Sequence, residues 1–282
     1  MKGKLCMVTG GTAGIGLVTA RALAEQGAAV VIVGRNAQKG DTVVRELGRR
    51  TGNEQISFLR ADLSSQSDVR RLAGAFAAAH PRLDVLVNNA GAIFWKRHVT
   101  AEGIEMTLAL NHLNYFLLTG LLLDRLRAAA PARIVNVASG AHRRAALDLD
   151  DLQSVRSYYG PRVYANSKLA NILFTRALAR RLPAGDITVN CLHPGFVRSA
   201  FGGNNDLWFR VAIRIAMLRA IGVEEGAQTS IHLATAAEVA GITGGYFAKK
   251  QPAEPTQAAR DDETGERLWE ASEALTGFQF RP

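Results

Sequence analysis

The chain has 282 residues, of which 48% are hydrophobic and 21% charged; this suits one large α/β domain or two small ones and excludes a disordered chain. A net charge of +9 brings nucleic acid and anionic membranes into consideration, but the basic residues are mostly arginines scattered among alanine, glycine and leucine. That pattern reads as a GC-rich coding bias, not a clustered basic patch, so no nucleic-acid partner is expected. The two cysteines, Cys6 and Cys191, lie in short apolar runs and read as core fillers, not as a disulfide or metal site. The first apolar run begins at Lys4, which leaves no room for a leader or an N-terminal anchor, and no stretch reaches the ~18 charge-free apolar residues of a spanning helix. The expected location is cytoplasmic.

In chain order, Lys4 to Thr9 is a strand, followed by a glycine turn and an amphipathic helix to about Gln26. Ala29 to Val33 is a second strand, with a polar helix from about Asn36 to Thr51. Gln55 to Arg60 is a third, and the helix from about Gln66 to Ala79 has Ser64 or Ser65 as its cap. Asp84 to Asn88 is a fourth strand, a long helix runs from about Thr100 to Ala128, and Arg133 to Ala138 is a fifth. Another long helix, from about Pro161 to Leu182, leads to a sixth strand at Ile187 to Leu192. A helix from about Glu224 to Ala236 precedes a seventh strand at Gly245 to Ala248. Gln251 to Arg260 reads as loosely ordered, and Asp261 to Leu275 as a final helix. Strands alternating with helices predict an α/β fold: a doubly wound parallel sheet of about seven strands with helices on both faces. There is no linker and no internal repeat, so residues 1–282 read as one domain.

Ligands of such a sheet bind outside the carboxyl ends of its strands. After the first strand comes Thr9-Gly10-Gly11-Thr12-Ala13-Gly14-Ile15-Gly16. Gly10 permits a tight turn, Gly14 lets the backbone approach a pyrophosphate, and Gly16 lets helix and strand pack closely. Thr12 and Ile15 in the same turn are candidate cofactor contacts. An acid that binds the ribose is expected roughly 20 residues on, but the second strand ends in Gly34-Arg35-Asn36, with no carboxylate until Asp41. Arg35 can pair with a 2′-phosphate where a carboxylate would repel one, which favours NADP(H) over NAD(H). Asp62-Leu63 and Asn88-Asn89-Ala90-Gly91 follow the third and fourth strands; they sit where an adenine and its ribose would lie, and read equally as Asx-type turns or caps.

The fifth strand ends at Ser139, and Tyr164 and Lys168 stand four apart in a helical segment, so they share a face. A nearby cation lowers a tyrosine pKa toward working pH, making Tyr164 a general acid or base at a carbonyl or alcohol. Ser139 is placed to hydrogen-bond the substrate oxygen.

With these motifs in this order, the chain resembles the short-chain dehydrogenase/reductase family over nearly its whole length. The narrower resemblance is to the retinol-dehydrogenase-like branch, through Asn111-His112-Leu113 with Phe116-Leu117-Leu118-Thr119, through the segment from Ser167 to Phe174, and through Glu225 to Ser230. The resemblance implies a Rossmann-type fold and a tetrad of Asn111, Ser139, Tyr164 and Lys168. In it, Tyr164 passes the proton, Lys168 tunes Tyr164 and binds the nicotinamide ribose, and Asn111 either holds a relay water or stabilises a helix kink. It also implies that Pro194 and Gly195, followed by Val197 and Ser199, line the nicotinamide, with Ser199 where the family usually has threonine.

Phe94-Trp95, the stretch from His142 to Pro161, and a lid at about 200–222 are the expected substrate walls. Within the lid, Arg210, Arg214 and Arg219 stand among bulky apolar residues; this suits a bulky hydrophobic aldehyde, ketone or alcohol, with peripheral membrane contact through 207–221 and homo-oligomer contact as competing readings. A non-catalytic NADP(H) sensor on the same fold is the alternative function, disfavoured because a sensor has no need of Tyr164.

Overall fold

The structure is a computed structural model that describes residues 1–197 and 221–281. Ser199, Arg210, Arg214, Arg219 and nearly all of the expected lid lie outside the described residues.

Alternation along each strand splits the core into two layers. Met7, Val31, Val33, Leu86, Ile134 and Val189 face one side of the sheet; Cys6, Val8, Val30, Ile32, Val85, Val87, Val135 and Val137 face the other. A strand apolar at every position is buried on both faces, which requires helices above and below it. The strands are β1 (Leu5–Thr9), β2 (Ala29–Gly34), β3 (Ile56–Arg60), β4 (Val85–Asn88), β5 (Ala132–Val137), β6 (Ile187–His193), β7 (Tyr246–Ala248) and β8 (Gln251–Pro252). Their order in the sheet is β3-β2-β1-β4-β5-β6-β7-β8, parallel except for the β7–β8 pair. The order reverses between β1 and β4, opening a crevice at their carboxyl ends.

One face is covered by α1 (Gly14–Glu25), α2 (Ala37–Thr51) and the helix Val223–Thr235, through Leu23, Leu47 and Leu233. The other is covered by α3 (Gln66–Ala79), a helical stretch at 106–127, α7 (Gly160–Arg181) and the helix Asp262–Thr276. The last two helices on the chain are called α8 (Val223–Thr235) and α9 (Asp262–Thr276). The starts of α2 and α3 follow ordinary capping: the side chain of Asn36 accepts from the Lys39 N–H and that of Ser65 from the Asp68 N–H.

Three expectations are corrected. The helix expected from Thr100 starts at Met106, because the buried Glu105 carboxylate accepts the Thr107 and Leu108 N–H groups at 2.8 and 2.7 Å and so caps it. It is also not continuous: α4 (Met106–Leu108) passes through a π-helical turn at Ala109–Leu113 into α5 (Asn114–Leu121), and a break at Leu122 precedes α6 (Leu123–Arg127). The sheet has eight strands, not seven, because Lys249 and Lys250 take φ of 51° and 65° and make a two-residue hairpin turn usually built from Asn and Gly. The segment from Gln251 to Arg260, expected to be loose, is tied down: Arg143 donates to the Glu254 carbonyl at 2.9 Å, the Thr256 N–H to His142 Nε2 at 3.3 Å, and Ala259 is buried. Cys6 and Cys191 are free and buried, with both thiols pushed up to about 12 by desolvation, as inert core residues should be. Among the described residues no helix is long and apolar enough to cross a membrane.

The final helix closes the layer over α5 and α7. Trp269 meets Phe116 edge-on at 5.1 Å, Phe174 at 5.9 Å and Phe280 at 4.7 Å, and the Arg181 guanidinium stacks 4.0 Å from its ring centroid. Because Trp269 is buried at 5% exposure, Trp269→Ala should cost ~3–5 kcal/mol of unfolding free energy in a urea titration. A loss under 1 kcal/mol would show that α9 is an ornament on a core complete without it.

Candidate functional site

The glycine turn after β1 is shaped by what a side chain would strike. Gly10 has φ of 65°, and a Cβ there would lie 3.0 Å from Ala90 Cα, a conformation and a contact only glycine tolerates. A Cβ on Gly16 would lie 2.5 Å from both Asn89 Nδ2 and the Gly10 carbonyl oxygen. The turn is therefore pressed against the loop after β4, and Thr9 joins them: its hydroxyl accepts the Asn89 and Ala90 N–H groups at 2.8 and 3.1 Å, while Asn89 Nδ2 donates to the Thr9 carbonyl at 2.8 Å. What remains open is the amino end of α1, whose free N–H groups suit a pyrophosphate. Thr12 packs on Gly34 at the end of β2, and Ile15 sits half-buried one residue into α1.

Arg35 is exposed at the next strand end, and Arg60 Nε donates to its carbonyl at 3.3 Å. The Arg60 guanidinium therefore sits against the backbone of Arg35. Asp62 accepts from the N–H and hydroxyl of Ser64 at 3.0 and 2.7 Å, the Asx-turn geometry that the sequence left open, and Leu63 is buried.

Across the crevice, Lys168 is buried at 3% exposure, and its Nζ donates to the Val137 carbonyl at 3.0 Å. Nζ lies 5.7 Å from the Tyr164 ring centroid, so the helical spacing does bring the pair together. Tyr164 hydrogen-bonds Ser139, which stands two residues beyond the end of β5 and caps the short 3-10 turn Gly140–Arg144 by accepting the Ala141 N–H at 3.1 Å. The electrostatics depart from the sequence expectation. Desolvation, opposed only by the Ser139 hydrogen bond, pushes the Tyr164 phenol up to about 12, and desolvation pulls Lys168 down to about 7. Burial outweighs the pairing because it disfavours both ions at once.

Asn111 lies in the π turn with its amide engaged. Oδ1 accepts the Ala92 N–H at 2.9 Å, and Nδ2 donates to the Ala92 carbonyl at 2.9 Å and to Ser167 Oγ at 3.0 Å. Gly91 forms the wall between Asn111 and Lys168: a Cβ there would come within 3.2 Å of Asn111 Oδ1 and 3.3 Å of Lys168 Nζ. Pro194 and Gly195 follow β6, Gly195 with φ of 93°, and Val197 bridges to Ile221.

Sequence reasoning passed over three neighbours. Asn171 Nδ2 donates to the Asn111 carbonyl at 2.9 Å; its place three residues beyond Lys168 puts it on the Tyr164–Lys168 face, a signal the spacing carried. The Tyr115 ring is fully buried 5.6 Å from Lys168 Nζ, and His193 ties the turns after β5 and β6 together. Neither has a local pattern that marks it. Among the described residues no group of side chains has metal-ligand geometry.

A doubly wound sheet with a glycine turn opening its first helix, and a buried lysine beside a half-buried tyrosine across the switch point, defines the dinucleotide-fold dehydrogenases. The short chain dehydrogenase family model matches residues 4–208. Human retinol dehydrogenase 12 is 40% identical over 99% of this chain and 88% of its own length. Among solved structures, an uncharacterized protein from Mycobacterium paratuberculosis superposes with a TM-score of 0.80 at 30% identity, covering 100% of this chain and 96% of that one. The RhlG–NADP active-site complex of Pseudomonas aeruginosa gives 0.69 at 32%, covering 88% and 94%. The chain belongs to the short-chain dehydrogenase family, in its retinol-dehydrogenase-like branch, and is an oxidoreductase.

The Lys168 value has a thermodynamic consequence. Its folded-state pKa lies below the unfolded one, so burial destabilises the fold fully below about pH 7, and the penalty fades as pH rises toward ~10.4. Lys168→Met should therefore be more stable than the parent at pH 6 by several kcal/mol, at most about 5, with most of the gain gone at pH 10. Urea unfolding at the two pH values measures it, and an equal gain at both would refute the assignment.

Proposed function

We propose that the protein is an NADP(H)-dependent oxidoreductase that interconverts an aldehyde or ketone and its alcohol on a bulky hydrophobic substrate, with Tyr164 as general acid and base. The observation that carries the reading is the buried Lys168 against the Tyr164 ring, with Ser139 hydrogen-bonded to the phenol. A phenol held near 12 stays protonated at neutral pH, which suits the donor in carbonyl reduction. In that direction Tyr164 gives its proton to the carbonyl oxygen while the Ser139 hydroxyl orients the same oxygen and stabilises the charge developing on it. Lys168 titrates near neutrality, so it is placed to return a proton to Tyr164. Asn111 and Asn171 hold the π turn that positions the Gly91 wall beside it.

The cradle at Gly10, Gly14, Gly16 and Asn89 fits a dinucleotide, since bare glycines let the turn pack tightly on the loop after β4 and leave the backbone N–H groups that open α1 to a phosphate. Held there, the reduced nicotinamide supplies the hydride. Arg35 supports NADP(H): a guanidinium and no carboxylate directly after β2 suits a 2′-phosphate, and Arg60 at the end of β3 reaches the Arg35 backbone carbonyl. The Pseudomonas relative was solved with NADP.

Bulk on the substrate side is supported by the aromatic groups at the strand ends. Trp95 meets Tyr159 edge-on at 6.4 Å, and Tyr159 and Phe196 are each 56% exposed. Human retinol dehydrogenases 12 and 11 carry retinol, a large apolar alcohol, in their names.

NADPH consumption across aldehydes and ketones of graded size tests the reading. Turnover should favour large apolar carbonyls, and Tyr164→Phe should lower kcat by about 10² or more; undiminished turnover in that variant, or turnover of small polar carbonyls alone, would sink it. Arg35→Ala should raise the KM for NADPH about tenfold and leave that for NADH unchanged. An equal effect on both cofactors would remove the 2′-phosphate role.

A further inference from the structure

His193, the last residue of β6, is half-buried and is not used in the chemistry above. Two backbone N–H groups converge on its Nδ1: Gly140 N at 2.9 Å, from the turn after β5, and Gly195 N at 3.3 Å, from the turn after β6. A nitrogen that accepts from two donors carries no proton, so the ring is the neutral tautomer protonated on Nε2. Pro194 has no N–H, which leaves Gly195 as the first donor of its turn. Gly140 itself is closed to a side chain, because a Cβ there would lie 3.0 Å from His193 Nε2.

The two turns have different tasks in the proposed reaction. In that reaction one holds Ser139, which orients the substrate oxygen; the other holds Pro194 and Gly195, which the family resemblance puts at the nicotinamide. No backbone ladder joins them, because the β5–β6 pairing ends at Val137 and Leu192 and only the Ala138 N–H to Leu192 carbonyl bond continues past it. Resting on the function proposed above, we propose that His193 is a positioning residue that pins the Ser139–Gly140 turn to the Pro194–Gly195 turn and so fixes the spacing between the substrate oxygen and the nicotinamide.

The surroundings favour the neutral ring. Burial and the nearby charges of His142 and Arg143 all lower the His193 pKa. His142 is itself fixed, its Nδ1 on the Ser139 carbonyl at 2.7 Å, its Nε2 on the Thr256 N–H at 3.3 Å and its ring edge-on to Tyr246 at 5.2 Å. Two imidazoles therefore bracket the serine turn, one through its carbonyl and one through the N–H of the next residue.

The test compares the parent with His193→Asn, whose Oδ1 restores an acceptor near Nδ1, and His193→Phe, which keeps a ring and removes the acceptor. NADPH affinity by fluorescence, kcat and KM for the best carbonyl of the panel, and thermal melting are measured for each. His193→Phe should weaken NADPH binding and lower kcat about tenfold each, the scale of an unmet partly buried donor. His193→Asn should stay within about threefold of the parent. A folded Phe variant with parental binding and turnover overturns the proposal, as does an Asn variant impaired as badly as Phe. Should Phe not fold, the Asn variant decides alone: near-parental values support the pin and a tenfold loss removes it. Should the parent reduce no carbonyl, the proposed function falls, while NADPH affinity still decides the pin, lost in Phe and kept in Asn if it holds.

Discussion

The structure turns on one expensive act of burial. Lys168 is a long cation brought almost wholly out of water, and its ammonium donates to a backbone carbonyl, that of Val137. Desolvating an ammonium costs far more than one neutral acceptor returns. The fold bears that cost because each wall around Nζ serves the site: Gly91 is bare so that nothing fills the space, Asn111 stands behind it, and the rings of Tyr115 and Tyr164 flank it. The same burial makes the Tyr164 phenol a weaker acid and the Lys168 ammonium a stronger one.

A chain of buried polar side chains keeps those walls in place. Asn88 on β4 donates to Asn136 on β5, Asn136 to Thr175 on α7, and Thr175 to the Asn171 carbonyl. Asn171 then donates to the Asn111 carbonyl and meets the ring of His112, whose far nitrogen meets Ser272 on α9. Desolvation drops the His112 pKa to about 4, so this link carries no charge at neutral pH. Buried polar groups that bond one to the next hold one geometry, since any displacement leaves several unmet at once. The π turn is the place where this chain grips the backbone beside Lys168.

The order of strands and the residues at their ends were legible because hydrophobic alternation and glycine turns are local signals. Tyr164 and Lys168 share a helix, so their meeting needed only the spacing of four. The misread parts depend on partners distant in sequence or on unusual residues. Glu105 caps a helix while buried, a position where Ser or Asp is the ordinary choice. Lys249 and Lys250 turn a hairpin that Asn-Gly would have announced. His193 meets Gly140 across 53 residues, and nothing beside it in the chain points there. The direction of the Tyr164 shift was missed for a related reason: the charge of a neighbour can be read from spacing, but the water excluded by a whole fold cannot.

The C-terminal helix gives these arrangements an order in time. Ser272 braces His112, and Trp269 and Phe280 roof the rings of Phe116 and Phe174. During synthesis the eight strands and the glycine turn emerge before residues 262–280 do. Until that last segment docks, the π turn lacks its brace at His112 and the rings of Phe116 and Phe174 lack their roof. The part of the site that is built around the glycine turn draws on residues that all precede it in the chain.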